Sequence, residues 1–297
     1  MYDTILVPTD GSEHAVRACE HGLALSRRFD ATVHLLNVID VTAAGGMFDA
    51  GGVSREFVER LEEEGTNAIE TVEAVAEETD DIRTDIIEGK PSEAILEYVD
   101  ENGIDLLSMG THGRSGINRY ITGSVTERVV RLSDVPVLTV RATEQNTPAG
   151  SYDEILVPTD GSEPATAAID HGIAIAQEAG ARIHAVNVVD VSSLAANPNV
   201  TPPTDLLDQF RSQGESATEA IATRAREAGL DAVTSVREGI PSSDLLQYAR
   251  ENEIDLIAMG THGRTGLERY VLGSTTERIV RESETPVLSV SPQQSKD

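Results

Sequence analysis

The sequence contains no tryptophan, one cysteine, four phenylalanines and six tyrosines. Each shortage excludes something. Cys19 alone permits neither an intrachain disulfide nor a Cys-based zinc cage. With so few aromatic rings, the core is left to Val, Ile, Leu and Ala. No window approaches the roughly 18 continuous apolar residues of a membrane span. The stretch Met1–Val7 has no basic n-region and reads as a first strand rather than a signal peptide. The expected compartment is the cytoplasm.

Lysine is scarce too. Lys90 and Lys296 are the two lysines among 23 basic residues, against 51 acidic ones, for a net charge of −28. Such a chain repels a phosphate backbone, which argues against nucleic-acid binding. The same charge works against the compact state in dilute salt. At molar salt the Debye length falls to about 3 Å and the repulsion is screened. High acidity, few lysines and small apolar residues together point to a salt-rich cytoplasm.

What is present is a repeat. Tyr2-Asp3-Thr4-Ile5-Leu6-Val7-Pro8-Thr9-Asp10-Gly11-Ser12-Glu13 returns from Tyr152 to Glu163 with one substitution, and Ile104–Arg114 returns as Ile254–Arg264, both at an offset of 150. The offset slips by one in between, where Gly65 answers Gly214. This self-similarity predicts two domains, 1–142 and 152–291. The polar stretch 143–151 joins them, and a short polar tail, 292–297, follows.

Each half alternates strand and helix. In the first, apolar runs at Thr4–Val7, Thr32–Ile39, Ile82–Ile87, Ile104–Met109 and Val135–Val140 read as buried strands. Amphipathic stretches at about Ser12–Arg28, Ser54–Glu78, Pro91–Asn102 and Ser124–Leu132 read as helices. Ser12 and Ser124 suit N-caps, Pro91 a first turn and Gly103 a C-cap. The alternation implies an α/β fold, a parallel sheet with helices on both faces. Such sheets bind ligands at the carboxyl ends of their strands.

The glycines fall at those ends. Gly110 and Gly113 follow the fourth strand, and nine residues later Gly123-Ser124 opens a helix; Gly260, Gly263, Gly273 and Ser274 repeat the spacing. Glycines let backbone amides approach a phosphate, and a helix N-terminus attracts an anion. The Ser hydroxyl adds one donor. A single glycine pair after a strand is most simply a turn, but the identical spacing in both halves favours a phosphate site. Asp10 and Asp160, after the first strand of each half, suit a ribose hydroxyl or a Mg²⁺ bridging phosphates; otherwise each is a turn aspartate bonding local amides. His112, Arg114, His262 and Arg264 lie inside the loops and are candidate phosphate contacts. Arg119 and Arg269 read as solvated, and His34 and His184 as packed strand residues. No spacing suggests a metal site independent of nucleotide.

On these motifs the chain resembles a tandem universal stress protein. That family's ATP-binding pattern, G-x2-G-x9-G-[S/T], is met at Gly110, Gly113, Gly123 and Ser124, and again at Gly260, Gly263, Gly273 and Ser274. The likeness runs nearly end to end and weakens across residues 41–53 and 191–203. It implies two doubly wound domains, each with a five-stranded parallel sheet in the order 3-2-1-4-5. It implies that Pro8, Thr9 and Asp10 line the ribose and triphosphate, Val38 offers backbone groups to adenine, and Met109 flanks the ribose. Pro158, Thr159, Asp160, Val188 and Met259 correspond in the second half.

The function expected is regulatory ATP binding, one site per repeat, with Mg²⁺ accompanying the nucleotide. The alternatives are a slow ATPase or nucleotidyl-transfer enzyme, or a dimerisation module indifferent to nucleotide. A P-loop lysine is absent, as are kinase and G-x-S-x-G signatures, and the acidic charge opposes a KH-type RNA clamp. A linker of roughly ten residues spans at most about 35 Å. With apolar last strands at Pro136–Val140 and Pro286–Val290, that suggests an intrachain pseudo-dimer of the repeats; a homodimer of whole chains is conceivable.

Overall fold

The computed structural model describes residues 1–41, 55–111, 123–143, 149–191, 204–263 and 272–292. The chain divides into two compact units, Met1–Gly150 and Ser151–Asp297. The first unit runs β1 (Thr4–Pro8), α1 (Glu13–Phe29), β2 (Thr32–Ile39), α2 (Arg55–Glu73), β3 (Ile82–Glu88), α3 (Pro91–Asn102), β4 (Leu106–Gly110), α4 (Ser124–Leu132) and β5 (Val137–Val140). The second runs β6 (Glu154–Pro158), α5 (Glu163–Ala179), β7 (Arg182–Asp190), α6 (Thr204–Glu227), β8 (Ala232–Gly239), α7 (Pro241–Glu251), β9 (Leu256–Gly260), α8 (Ser274–Glu282) and β10 (Val287–Val290).

Within the first unit the strands lie in the order β3-β2-β1-β4-β5, all parallel; within the second, β8-β7-β6-β9-β10, likewise parallel. This is the doubly wound α/β fold expected. Right-handed crossovers put α1 and α2 on one face, because β1→β2→β3 moves one way along the sheet. They put α3 and α4 on the other, because β3→β4→β5 moves back. The helices pack accordingly: α1 touches α2, and α3 touches α4. Strand order therefore reverses between β1 and β4 (β6 and β9), where a crevice opens at the carboxyl edge.

The core is aliphatic. Ile5, Leu6, Val7, Leu35, Leu36, Leu106 and Leu107 are fully buried in the first unit, and Ile155, Leu156, Val157, Ile183, Val186, Leu256 and Ile257 in the second. At the edge away from the crevice, one carboxylate oxygen of Asp105 accepts from the amides of Asp3 and Thr4, at 2.8 and 3.0 Å. Asp255 does the same for Asp153 and Glu154. The repeated Ile-Asp-Leu motif is thus a strand clamp at the edge opposite the carboxyl ends of the strands.

Two local expectations are corrected. Ser12 does cap α1, accepting from the Ala15 amide at 3.3 Å, but the cap of α4 is Gly123, with Ser124 already its first residue. The second helix was expected to reach Glu78 and ends at Glu73. There Asp80 takes over: its carboxylate receives the Glu77 amide at 2.8 Å and a two-pronged bond from Arg27 at 2.8 and 2.7 Å, which closes a turn.

Candidate functional site

The second repeat holds a cleft of about 390 Å³ at the carboxyl ends of its strands. Pro158, Thr159 and Asp160 line it from β6, Val188 from β7, Met259 and Gly260 from β9, His262 and Gly263 from the loop after β9, and Gly273 and Ser274 from the start of α8. Every residue expected for this repeat thus borders one space except Arg264, which lies outside the described residues. In the first repeat Pro8, Thr9, Asp10, Val38, Met109, Gly110, Gly123 and Ser124 stand at the corresponding strand and helix ends. His112, Gly113, Arg114 and Arg119 lie outside the described residues, as does Arg269.

The turn after the first strand is built tightly. The Thr9 amide continues the β-ladder by donating to the Leu36 carbonyl at 2.8 Å, and Thr159 does so to Val186 at 2.9 Å. Thr9 Oγ1 then accepts from the Gly11 amide, and Asp10 Oδ1 from the Ser12 amide, both at 3.0 Å. The second repeat matches, at 3.0 and 2.9 Å, and adds the Ser162 hydroxyl donating to Asp160 Oδ1 at 2.5 Å. Gly11 (φ 74°) and Gly161 (φ 77°) turn the chain in the left-handed region, which a β-carbon disfavours. One oxygen of each aspartate therefore does hold the local turn. The turn reading and the ligand reading are compatible, because a carboxylate has a second oxygen; that of Asp160 lies 2.7 Å from where a β-carbon on Gly263 would stand.

Across the cleft, the helix end is fixed to the sheet. The Gly273 amide donates to the Thr261 carbonyl at 2.9 Å, and the Thr276 hydroxyl donates to the Gly260 carbonyl at 2.8 Å. Gly123 with Thr111, and Thr126 with Gly110, repeat this at 2.7 Å each. Among the described residues no side chain caps α4 or α8, whose N-caps are Gly123 and Gly273, so their first-turn amides have no side-chain acceptor there. An anion satisfies that need. Gly110 has a different reason from the one expected. A β-carbon there would come within 2.8 Å of the His14 backbone, so glycine lets α1 and β4 meet.

Sequence reasoning missed Asn37 and Asn187. Each is buried in the second strand of its repeat, and its side-chain amide donates to the carbonyl of Thr9 or Thr159, at 2.7 and 2.8 Å. Gly65 and Gly214 leave room for these side chains, since a β-carbon at either would collide with the Asn oxygen. A polar residue repeated inside an apolar strand was the signal. His34 and His184 are buried as expected, each paired at 2.8 Å with the hydroxyl of Tyr98 or Tyr248. Burial and the nearby Arg83 hold His34 below the usual imidazole range.

The lining is largely apolar on the β7 side, apart from Asn187 and Asp190, and polar on the β9 side. Val186, Val188, Pro241 and Leu245 wall the β7 side; the glycines, His262 and Ser274 border the β9 side. Thr261 Oγ1 and His262 Nδ1 share a hydrogen bond of 2.8 Å. Asp160 and Asp190 are the charged lining residues among those described, and no Lys or Arg is among them. Nor do three His, Cys, Asp or Glu side chains converge on a point among the described residues. A divalent cation here would need oxygens from a ligand, which is how Mg²⁺ is commonly held beside phosphates. Among the described residues no helix is long and apolar enough to cross a membrane.

Comparison with known proteins follows the same division. The model of the Universal stress protein family matches residues 1–141 and again 151–291. A universal stress protein of Methanocaldococcus jannaschii is 37% identical over 139 residues, which is 47% of this chain and 82% of that protein. One from Mycolicibacterium smegmatis is 25% identical over 303 residues, 97% of each chain. The crystal structure of a universal stress protein from Archaeoglobus fulgidus aligns over 97% of this chain and 96% of its own, with a TM-score of 0.71 at 21% identity. That last likeness is one of fold.

Proposed function

The chain belongs to the universal stress protein family, and from that premise we propose that it is a regulatory ATP-binding protein with one nucleotide site in each repeat. The observation that carries this reading is the convergence, in one cleft, of the Asp160 turn, the Gly260–Gly263 loop and the uncapped N-terminus of α8. The apolar β7 side takes the adenine. The ribose lies between Asp160 and Met259. The phosphates run toward Gly263, Gly273 and the first-turn amides of α8. Asp160, and Asp10 in the first repeat, supply a carboxylate oxygen to a Mg²⁺ that the phosphates share; with two carboxylates and no described cation in the lining, the triphosphate needs that ion.

Occupancy rather than turnover is the signal. Backbone amides and a helix N-terminus act on the bound triphosphate as much as on any transition state, and such uniform binding does not speed chemistry. The described lining offers no Lys or Arg to take up charge developing on a transferred phosphoryl group. In single-turnover assays of the isolated chain with Mg²⁺ in high salt, hydrolysis should stay well below about 1 s⁻¹. A faster rate would promote the ATPase alternative.

Stoichiometry tests the binding itself. Calorimetry should give two ATP per chain with Mg²⁺. Gly263→Val should abolish the second site and spare the first, because its β-carbon would stand 2.7 Å from the Asp160 oxygen. Saturation at about 100 times Kd should stabilise each intact unit by about 2.7 kcal/mol. An absence of heat and of any melting shift would overturn the proposal.

A further inference from the structure

Phe210 is the one phenylalanine of the second repeat. It stands on α6, half-buried, and lines the cleft with Val188, Pro241 and Leu245. Helix α6 packs on β7 and β8, while Pro241 and Leu245 come from α7, which the crossover rule places on the opposite face. The apolar end of the cleft is therefore a slot, with an aromatic ring on one wall and aliphatic side chains on the other.

The first repeat is built differently. Gly65 and Gly214 meet the equivalent Asn37 and Asn187, so α2 and α6 align at an offset of 149. On that register Leu61 occupies the place of Phe210, and Phe57 that of Leu206. Positions four apart share a helix face, so the ring has moved about 6 Å along the helix axis. Leu61 shows that an aliphatic residue satisfies the packing at this position. The ring in the second repeat calls for another reason, and a flat π face in a slot suits a flat base.

We propose that Phe210 stacks on the adenine of the second site, and that the two repeats therefore bind the nucleotide unequally: the second grips base and phosphates, the first depends more on the phosphates. This rests on the ATP-binding reading above, and the test separates the two. Full-length protein in high salt with Mg²⁺ is titrated with ATP and, separately, with inorganic tripolyphosphate, which has no base. Phe210→Leu should weaken one of the two ATP sites about 10-fold and leave tripolyphosphate binding unchanged. Phe210→Trp would introduce the chain's sole tryptophan, whose emission should be quenched by ATP and not by tripolyphosphate. Unchanged ATP affinity in Phe210→Leu, an equal loss for both ligands, or an unquenched indole in a protein that still binds two ATP would overturn the stacking assignment alone. Wild-type protein that binds no ATP would overturn the nucleotide reading and this assignment with it.

Discussion

At the scale of single residues, repetition has two causes that the structure separates. Asn187 supports the cleft, holding the Thr159 carbonyl at 2.8 Å. Asp255 clamps strand ends at the opposite edge. Removing either leaves buried or half-buried backbone groups without a partner, at a cost of about 1–3 kcal/mol. Asn187→Ala and Asp255→Ala should thus lose comparable stability in denaturant titrations. They should part on ligand: Asn187→Ala loosens the Asp160 turn and weakens Mg²⁺-dependent ATP binding at the second site, whereas Asp255→Ala does not. A third buried residue sets a pH dependence. Burial, assisted by Arg17, pushes His21 down to about 3 from its ordinary 6.5. The unfolded chain therefore takes up a proton below about 6.5 that the folded chain refuses until about 3. This group should make stability fall as the pH is lowered through that window. His21→Gln should flatten the slope relative to wild type between pH 6.5 and 5; parallel slopes would contradict the assignment.

At the scale of elements, strands and helices were largely legible, and the departures have local causes. Thr32–Ile39 and Pro91–Asn102 form the predicted strand and helix residue for residue. The fourth strand begins at Leu106 rather than Ile104, because the Ile104 amide still bonds the Val99 carbonyl at the end of α3 and Asp105 turns its carboxylate to β1. Apolarity alone could not separate a helix cap from a strand start. The candidate cleft of the second repeat was legible where spacing encodes geometry, in the pattern Gly260, Gly263, Gly273 and Ser274 that borders it. Legibility ended where a residue acts through a distant neighbour, as with Asn37, Gly65 and the Gly110–His14 contact. The misplaced cap of α4 bears on the proposed site, since a Ser cap would satisfy a first-turn amide that Gly123 and Gly273, without side chains, cannot. Gly273→Asp should supply that cap internally, with a carboxylate where the phosphate belongs. Its β-carbon meets the Thr261 carbonyl at 3.2 Å, a few tenths of an ångström too close, which offsets the cap's own gain. The melting midpoint without ligand should barely move while ATP affinity at the second site drops at least about 10-fold. Equal affinity for wild type and variant would exclude the helix end from the site.

At the scale of the whole molecule, charge dominates. With 51 acidic and 23 basic residues, acidic side chains outnumber basic ones by 28. They crowd exposed helix surfaces, as at Glu62, Glu63 and Glu64 on α2. Exposed ion pairs such as Arg60 with Glu64 at 3.3 Å contribute little individually. The sum of the repulsions is what folding must overcome, and it reaches about 10 Å through 0.1 M salt but about 3 Å through 1 M. We expect the chain to be markedly less stable in 50 mM KCl than in several molar KCl. Two mechanisms would give that result, and they separate on further tests. Screening acts on charge, so neutralising Glu62, Glu63 and Glu64 together to Gln should recover part of the low-salt deficit and change little at high salt. Preferential exclusion of solute acts on any folded surface, so an uncharged osmolyte such as sucrose would then substitute for KCl. Unfolding midpoints across both solutes decide between them. Equal stability in 50 mM and several molar KCl would remove the salt-rich cytoplasm from consideration, and the acidity would then serve solubility alone.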